Sequence, residues 1–323
     1  SDVCSSDLSK RKGLTSKLHK ELLKFQKEPS PKCLKKILPL INDINDSMIQ
    51  EKFQSENLTE HVNAKIYSDD TVGLLIQSMP FFDQPTLNAL STLLQTTIRE
   101  FQENSLPKYL IEHQDNLEKL LSYFDIPLVA NTAHILIRTS IKSRDFVQFL
   151  FEKGFVGSFI QFLSGDNFDK LSTAFATYDA LLNSHIDVSV EYITNNWEIF
   201  QIQFKQLLSS PNYLVQLNFL PILYKFLTTQ QCKMIFLRYL DDIESLQLLM
   251  VLLKSQSKKV ASRAYSLFIL FVLNPRRHPN IASALKKNKV KLCKLLNDFQ
   301  LEDNSQESEE ERQQVISIIN HLK

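Results

Sequence analysis

Amphipathic segments of helical length return along this chain at intervals of roughly 40 to 45 residues, and that recurrence constrains the fold more than any single motif. From Thr71 onward apolar residues fall at three-and-four spacing over about 71–79, 85–103, 107–112, 115–123, 126–142, 144–153, 155–164, 167–184, 187–207, 211–228, 230–240, 243–254, 257–273, 277–299 and 312–322. A repeated helix pair cannot bury its apolar stripe alone, so each unit hides it against the next. The prediction is an all-α, armadillo/HEAT-like helical repeat solenoid, a curved rod whose inner helices line a groove. Glycine usage agrees. Tight hairpin turns and phosphate-cradling loops need backbone at positive φ, and the chain has five glycines, Gly13, Gly73, Gly154, Gly157 and Gly165.

Upstream of the repeats the signal is weaker. Residues 1–8, SDVCSSDL, match neither a secretion signal nor an amphipathic anchor; they read as a non-native or disordered start, leaving 9–300 as the helical-repeat domain. Ser9 to Lys27 reads as a helix closed by Glu28-Pro29-Ser30-Pro31, and Lys32 to Phe53 as a second one interrupted near Pro39. Asp43-Ile44-Asn45-Asp46 suggests a calcium loop, but Met48 stands where such a loop needs its glycine. Ser55 to Asp70 is polar and reads as a loop. Asp83 and Asp166 are candidate N-caps, and Pro221 is expected to kink or split the helix around it. Trp197, Phe200 and Phe204 share one face and read as core. Beyond Phe299, residues 301–311 read as an acidic linker and 312–323 as a last short helix.

Local marks of chemistry are missing. There is no GxSxG elbow, GxxxxGK[ST], GxGxxG or HExxH, and the seven histidines lack ligand spacing. Four scattered cysteines, Cys4, Cys33, Cys232 and Cys293, form no CxxC pair and fit a reducing compartment. The reading is no enzyme, no metal and no cofactor, in the cytoplasm. Charge is balanced, 37 basic against 36 acidic side chains, so no global field favours nucleic acid; only local patches remain. The strongest is Lys286, Lys287, Lys289, Lys291 and Lys294. It reads as a solvated helix face, as a phosphate-binding patch, or as the electrostatic half of a peptide site.

Four stretches carry a resemblance: FDKLSTAFATYDALL at 168–182, LLSSPNYL at 207–214, ESLQLLMVLL at 244–253 and VLNPRRHPNIASALKKNKVKLCKLLNDF at 272–299. Together they resemble the Mo-25-like family, also called calcium-binding protein 39, from about residue 70 to 300. The resemblance implies a non-enzymatic armadillo-like scaffold for Sterile-20-type kinases or pseudokinases, in fungi within a morphogenesis network at sites of polarised growth. It also implies two surfaces. A pocket for a partner's C-terminal Trp-Glu-Phe peptide falls on Met250 and Lys287, with Leu246, Leu253 and Lys291 beside them. A concave kinase-binding face falls on Phe168, Tyr213, Leu217 and Lys233. Phe168 and Tyr213 match the family's aromatic residues; Leu217, Pro221 and Gln230 stand where basic residues are usual, and Lys233 where an aromatic is.

The expected function is therefore a kinase scaffold, a monomer inside a heteromeric complex, without membrane insertion or nucleic acid. Two rivals are a rod that tethers peptides without activating kinases, and a nucleic-acid-associated repeat protein using Lys286 to Lys294. The last demands steeply salt-dependent RNA or DNA binding.

Overall fold

A computed structural model describes residues 2–51, 58–101, 105–164, 167–299 and 305–322, without a strand among them. They fall into two compact units, Ser1–Lys153 and Gly154–Lys323, taken here separately.

The first unit holds α1 (Asp2–Lys27), α2 (Pro31–Glu51), α3 (Leu58–Ser68), α4 (Thr71–Ser78), α5 (Gln84–Glu100), α6 (Leu106–Glu112), α7 (Gln114–Ser122), α8 (Pro127–Ser140) and α9 (Arg144–Glu152). Helix α2 packs on α5 and α5 on α8, stacking Ile37, Ile41 and Ile44 toward Leu87, Leu90 and Leu94, all buried. Asn45 ties the same pair, its Nδ2 donating to the Ala89 carbonyl at 3.0 Å. The DIND stretch thus lies within a helix, where its side chains diverge instead of converging on a cation. Asp83 caps α5 as expected, accepting from the Thr86 amide at 3.0 Å. At α4, Asp70 is held at φ 59°, and its carboxylate accepts from the Tyr109 hydroxyl. A Cβ on Gly73 would stand 2.5 Å from both partners, so a larger residue there would have to displace this carboxylate and phenol.

The second unit holds α10 (Phe155–Ser158), α11 (Phe168–Asn183), α12 (Ile186–Asn195), α13 (Trp197–Leu208), α14 (Tyr213–Thr228), α15 (Lys233–Leu240), α16 (Ile243–Leu252), α17 (Lys258–Leu273), α18 (Pro279–Asn297) and α19 (Gln306–Asn320). Helices α11, α14 and α17 each have 16 residues, begin at 168, 213 and 258, and are capped by Asn167, Asn212 and Ser257. The 45-residue spacing is regular. Helix α11 packs on α14 and α14 on α17, while α12 packs on α15 and α13 on α16. Each ladder carries a polar tie, its partners 46, 44 and 39 residues apart in sequence. Lys225 Nζ meets the Asp179 carboxylate at 3.0 Å, 46 residues apart, Arg238 donates to the Thr194 carbonyl at 2.9 Å, and Lys205 reaches Glu244 at 2.5 Å. Phe200, Phe204 and Phe219 form an edge-to-face and tilted stack inside, with centroids 6.1 and 5.6 Å apart.

Several expectations are corrected. Residues 2–8 continue α1 as helix rather than standing apart as disorder, which bears on their order and not on whether the start is native. The segment read as a loop over 55–70 contains α3, because Val62 and Ile66 are four apart and both buried; its residues 55–57 lie outside the described part. The span 187–207 is two helices, broken at Asn196, whose Nδ2 turns back to the Tyr192 carbonyl at 2.9 Å. Helix α19 starts at Gln306, six residues before the expected 312, because Ser305 caps it and Glu307 and Glu309 occupy its first turn against the helix dipole. Asp166 lies outside the described residues, and Asn167 serves as the N-cap of α11, accepting from the Lys170 amide at 2.9 Å.

Neither Pro39 nor Pro221 splits its helix. At α14 the physical compensation is visible. Proline has no N–H, so the carbonyl four residues before Pro221 loses its helical donor. That carbonyl is Leu217 O, and the Arg263 guanidinium on α17 donates to it. Arg263→Ala is expected to lower stability by roughly 1–3 kcal/mol by orphaning this group. Pro221→Ala returns the missing donor, so the same arginine change should cost less than half as much in that background. Urea denaturation of the four proteins of this cycle measures it; equal cost in both backgrounds would show that the guanidinium does not serve that carbonyl.

Candidate functional site

The expected peptide-pocket residues divide by depth. Asp242 caps α16, accepting from the Ser245 amide at 3.1 Å, and this sets the helix with Leu249, Leu246 and Leu253 toward its packed side. Leu246 is 0% exposed and Leu253 is buried as well, so neither lines the surface as the sequence reading expected. The reason is the spacing that suggested them: it defines the stripe that α16 buries on α17. Met250 lies roughly 40° round the helix from Leu246 at 100° per residue and emerges at the stripe's edge, half-buried.

Helix α18 packs against α16 and carries the other two. Asn274 organises the preceding turn, its Oδ1 accepting from the Arg276 amide at 3.0 Å. Arg277 Nε returns to the Val272 carbonyl at 3.0 Å at the C-terminal end of α17, a charged cap for otherwise unpaired acceptors. Pro279 then opens α18 at a position that needs no N–H. Ile281, Leu285, Leu292 and Leu296 face inward, and Lys287 and Lys291 are exposed. Of the five pocket residues, Met250, Lys287 and Lys291 reach solvent, on two packed helices.

The residues expected on the concave face also sort clearly. Phe168 and Tyr213 occupy the first position of α11 and α14, 45 residues apart, and are 55% and 53% exposed. Leu217 is half-buried one turn after Tyr213, and Lys233 is exposed at the start of α15, which packs on α14. Sequence reasoning missed the continuation of this stripe to Tyr224 and Thr228. Tyr213, Leu217, Pro221, Tyr224 and Thr228 recur at three-and-four spacing along α14, and all are exposed or half-buried. The signal was present as a second stripe opposite the buried Val215, Phe219, Ile222 and Phe226, masked by the proline.

Cys232, fully buried beside Lys233, has its thiol pushed up to about 11 by burial, and burial also raises that of Cys293. Among the described residues no three His, Cys, Asp or Glu side chains gather into a metal-binding group, and no helix is long and apolar enough to cross a membrane. An open groove of about 510 Å³ runs between α13 and α16, with Ile202, Leu248 and Val251 on its walls. Its Lys205 is already engaged by Glu244 and Asp242. A cleft of about 810 Å³ in the first unit lies beside Tyr67 and Tyr109, whose phenols are both raised, chiefly by burial.

Comparison with known proteins adds a lineage to this geometry. The family model described as Mo25-like matches residues 5–323. A Mo25-like protein of Schizosaccharomyces pombe is 26% identical over 269 residues, covering 82% of each chain. The degreening-related dee76 protein of Auxenochlorella protothecoides is 27% identical over 288 residues, 87% of this chain and 89% of its own. Calcium-binding protein 39-like of Mus musculus is 25% identical over 262 residues, 80% and 78% respectively.

The depth assignment has a direct stability consequence. Leu246→Ala should cost roughly 2–5 kcal/mol, as a large-to-small change in a packed interior, whereas Lys287→Glu should stay within about 0.5 kcal/mol of the parent. Urea midpoints of the two variants check this; a near-neutral Leu246→Ala would place that leucine at the surface after all.

Proposed function

The chain belongs to the Mo25-like family, and on that premise we propose that it is a non-catalytic scaffold which binds Sterile-20-type kinases or pseudokinases and supports their active conformation. The observation that carries the reading is the pair of aromatic side chains, Phe168 and Tyr213, each more than half exposed at the same helical position of successive rungs. Large aromatic rings left in water at regular intervals on a rigid frame are the anchors that protein interfaces use. A kinase domain seated on them is stabilised in whichever conformation makes more contacts, a population shift that needs no chemistry in the scaffold. The partner class, a cytoplasmic setting and a place in polarised growth are parts of the same proposal and rest on the family resemblance.

The second arm of the proposal is a partner's C-terminal Trp-Glu-Phe peptide at Met250, Lys287 and Lys291. A half-buried thioether at the margin of a leucine core adapts to an aromatic side chain, and two exposed ammoniums answer the peptide's carboxylates. The leucines beneath, Leu246 and Leu253, act by holding α16 in place.

One observation favours the narrower reading, a tether without activation. Leu217, Pro221 and Gln230 offer a kinase no charge where the resemblance implies basic residues, and the Arg263 guanidinium is spent inside the fold on the Leu217 carbonyl. Charge-assisted bonds carry much of a polar interface's specificity, so this surface binds through aromatic and apolar contact or with a changed partner.

Calorimetric titration with a short peptide ending in Trp-Glu-Phe, beside one ending in Ala-Glu-Ala, tests the peptide arm. Micromolar binding of the first alone, roughly −7 to −8 kcal/mol, is expected. Met250→Ala and Lys287→Glu should each weaken it about tenfold, the second less so at high salt. Absence of heat with both peptides, or unchanged affinity in both variants, sinks this arm. Assay of a Sterile-20-type kinase with the chain at saturating concentration then separates scaffold from tether: stimulation supports the first, binding without stimulation the second.

A further inference from the structure

The outer face of α18 is a cationic surface that the packing of the helix does not require. At 100° per residue, Lys286, Val290, Lys294, Lys287 and Lys291 fall in that order within roughly 140° of arc, and all five are exposed. Val290 is 82% exposed, the highest value among the exposed large hydrophobic side chains described. From Lys286 to Lys294 the helix rises about 12 Å. Lys289 lies off this arc and is tied down by donation to the Asn320 carbonyl of α19. None of the other four lysines has a carboxylate within ion-pair distance among the described residues.

Like charges three and four residues apart on a helix repel. Lys294 is partly compensated, because it sits in the last turn where the helix dipole favours a cation. Lys286, Lys287 and Lys291 have no such compensation. A surface that holds four ammoniums without a carboxylate partner among the described residues, around one apolar side chain, is complementary to an anionic partner of limited length. The composition of the face narrows the class. It has no arginine and no aromatic ring on which a base could stack, and one valine gives no apolar face to insert among lipids.

We propose that this face of α18 binds an acidic protein segment: three or four Asp or Glu side chains spread over one to two helical turns or a short extended run, with a small apolar residue that meets Val290. Carboxylates pair with Lys286, Lys287, Lys291 and Lys294, and the segment belongs to the same partner as the terminal peptide, since Lys287 and Lys291 lie in both surfaces. That last link rests on the peptide reading above; the acidic recognition itself does not.

Fluorescence anisotropy with four labelled peptides separates the two. Two end in Trp-Glu-Phe and two in Ala-Glu-Ala, and within each pair one carries Asp-Glu-Val-Glu-Asp immediately upstream and the other Ser-Gln-Val-Gln-Ser. The full chain is compared with its Lys286→Gln/Lys294→Gln variant, which leaves Met250, Lys287 and Lys291 untouched and changes only exposed side chains. At low salt the acidic run is expected to tighten binding about tenfold in either pair, as the sum of several exposed ion pairs. The gain should fall to about threefold in the variant, which keeps two of the four lysines, and below about twofold for the parent at about 0.5 M salt, where exposed charges are screened. No gain from the run, or an equal gain in the variant, overturns the proposal. So does tighter binding of polyuridylate, or of phosphatidylserine vesicles, than of the acidic peptides. If the acidic run discriminates while the aromatic terminus adds nothing, this inference stands and the terminal-peptide pocket falls.

Discussion

A 16-residue amphipathic helix cannot bury its apolar stripe by itself, and in the second unit each such helix buries it against its counterpart 45 residues away. That requirement governs what the other interactions can contribute. A fully buried leucine or phenylalanine is worth about 1.5–3 kcal/mol against exposure, and α14 alone buries Val215, Phe219, Leu220, Ile222, Leu223, Phe226 and Leu227. The polar ties between rungs, Lys225 to Asp179 or Lys205 to Glu244, are exposed or half-exposed pairs worth about 0–1 kcal/mol each. Burial therefore holds the rungs together and sets their register, and the polar ties, 46, 44 and 39 residues apart, add only a small preference at each rung.

Periodicity made the fold class legible, because a stripe that recurs every three or four residues over ten or more positions has one structural interpretation. Where the stripe was short, the sequence was harder to read. Helix α3 offers two well-spaced buried apolar residues, Val62 and Ile66, in a polar run, too few to separate helix from loop. Asn196 breaks a pattern that is apolar on both sides of it, and a side-chain bond to its own helix ends α12 in a way composition does not announce. The candidate site was legible to the level of its face and not of its depth. Spacing put Leu246, Met250 and Leu253 on one side of α16, but only packing decides that two are core and one is rim. Family resemblance pointed to Phe168 and Tyr213; the continuation of that row to Tyr224 needed the knowledge that α14 runs unbroken through its proline.

Pro221 shows how a local departure can be absorbed by the repeat. Interior proline costs about 3 kcal/mol in an isolated helix, partly through the carbonyl it leaves without a donor. In a stack of helices the next rung can supply that donor, and Arg263 does. The compensation consumes a guanidinium that would otherwise be free on the solvent side, so the backbone of α14 is satisfied and its exposed stripe stays uncharged. A change that strengthens one link of the fold thereby removes charge from one of its surfaces.

The second unit is left with two chemically different exteriors. On α11 and α14 the exposed row is aromatic and neutral, suited to gaining affinity from buried area but tolerant of how a partner is turned. On α18 it is cationic, suited to steering an anionic partner and to rejecting a cationic one, which like-charge contact penalises. Affinity and selectivity are then separable properties, carried by helices that a partner can engage in turn. A neutral row alone would accept many apolar surfaces, and a lysine face alone would hold none of them firmly. On the proposed reading, a scaffold that favours one conformation of one partner would draw on both, because only contacts that differ between the partner's states shift its population, and orientation by the charged face would let the neutral row meet one state and miss the other.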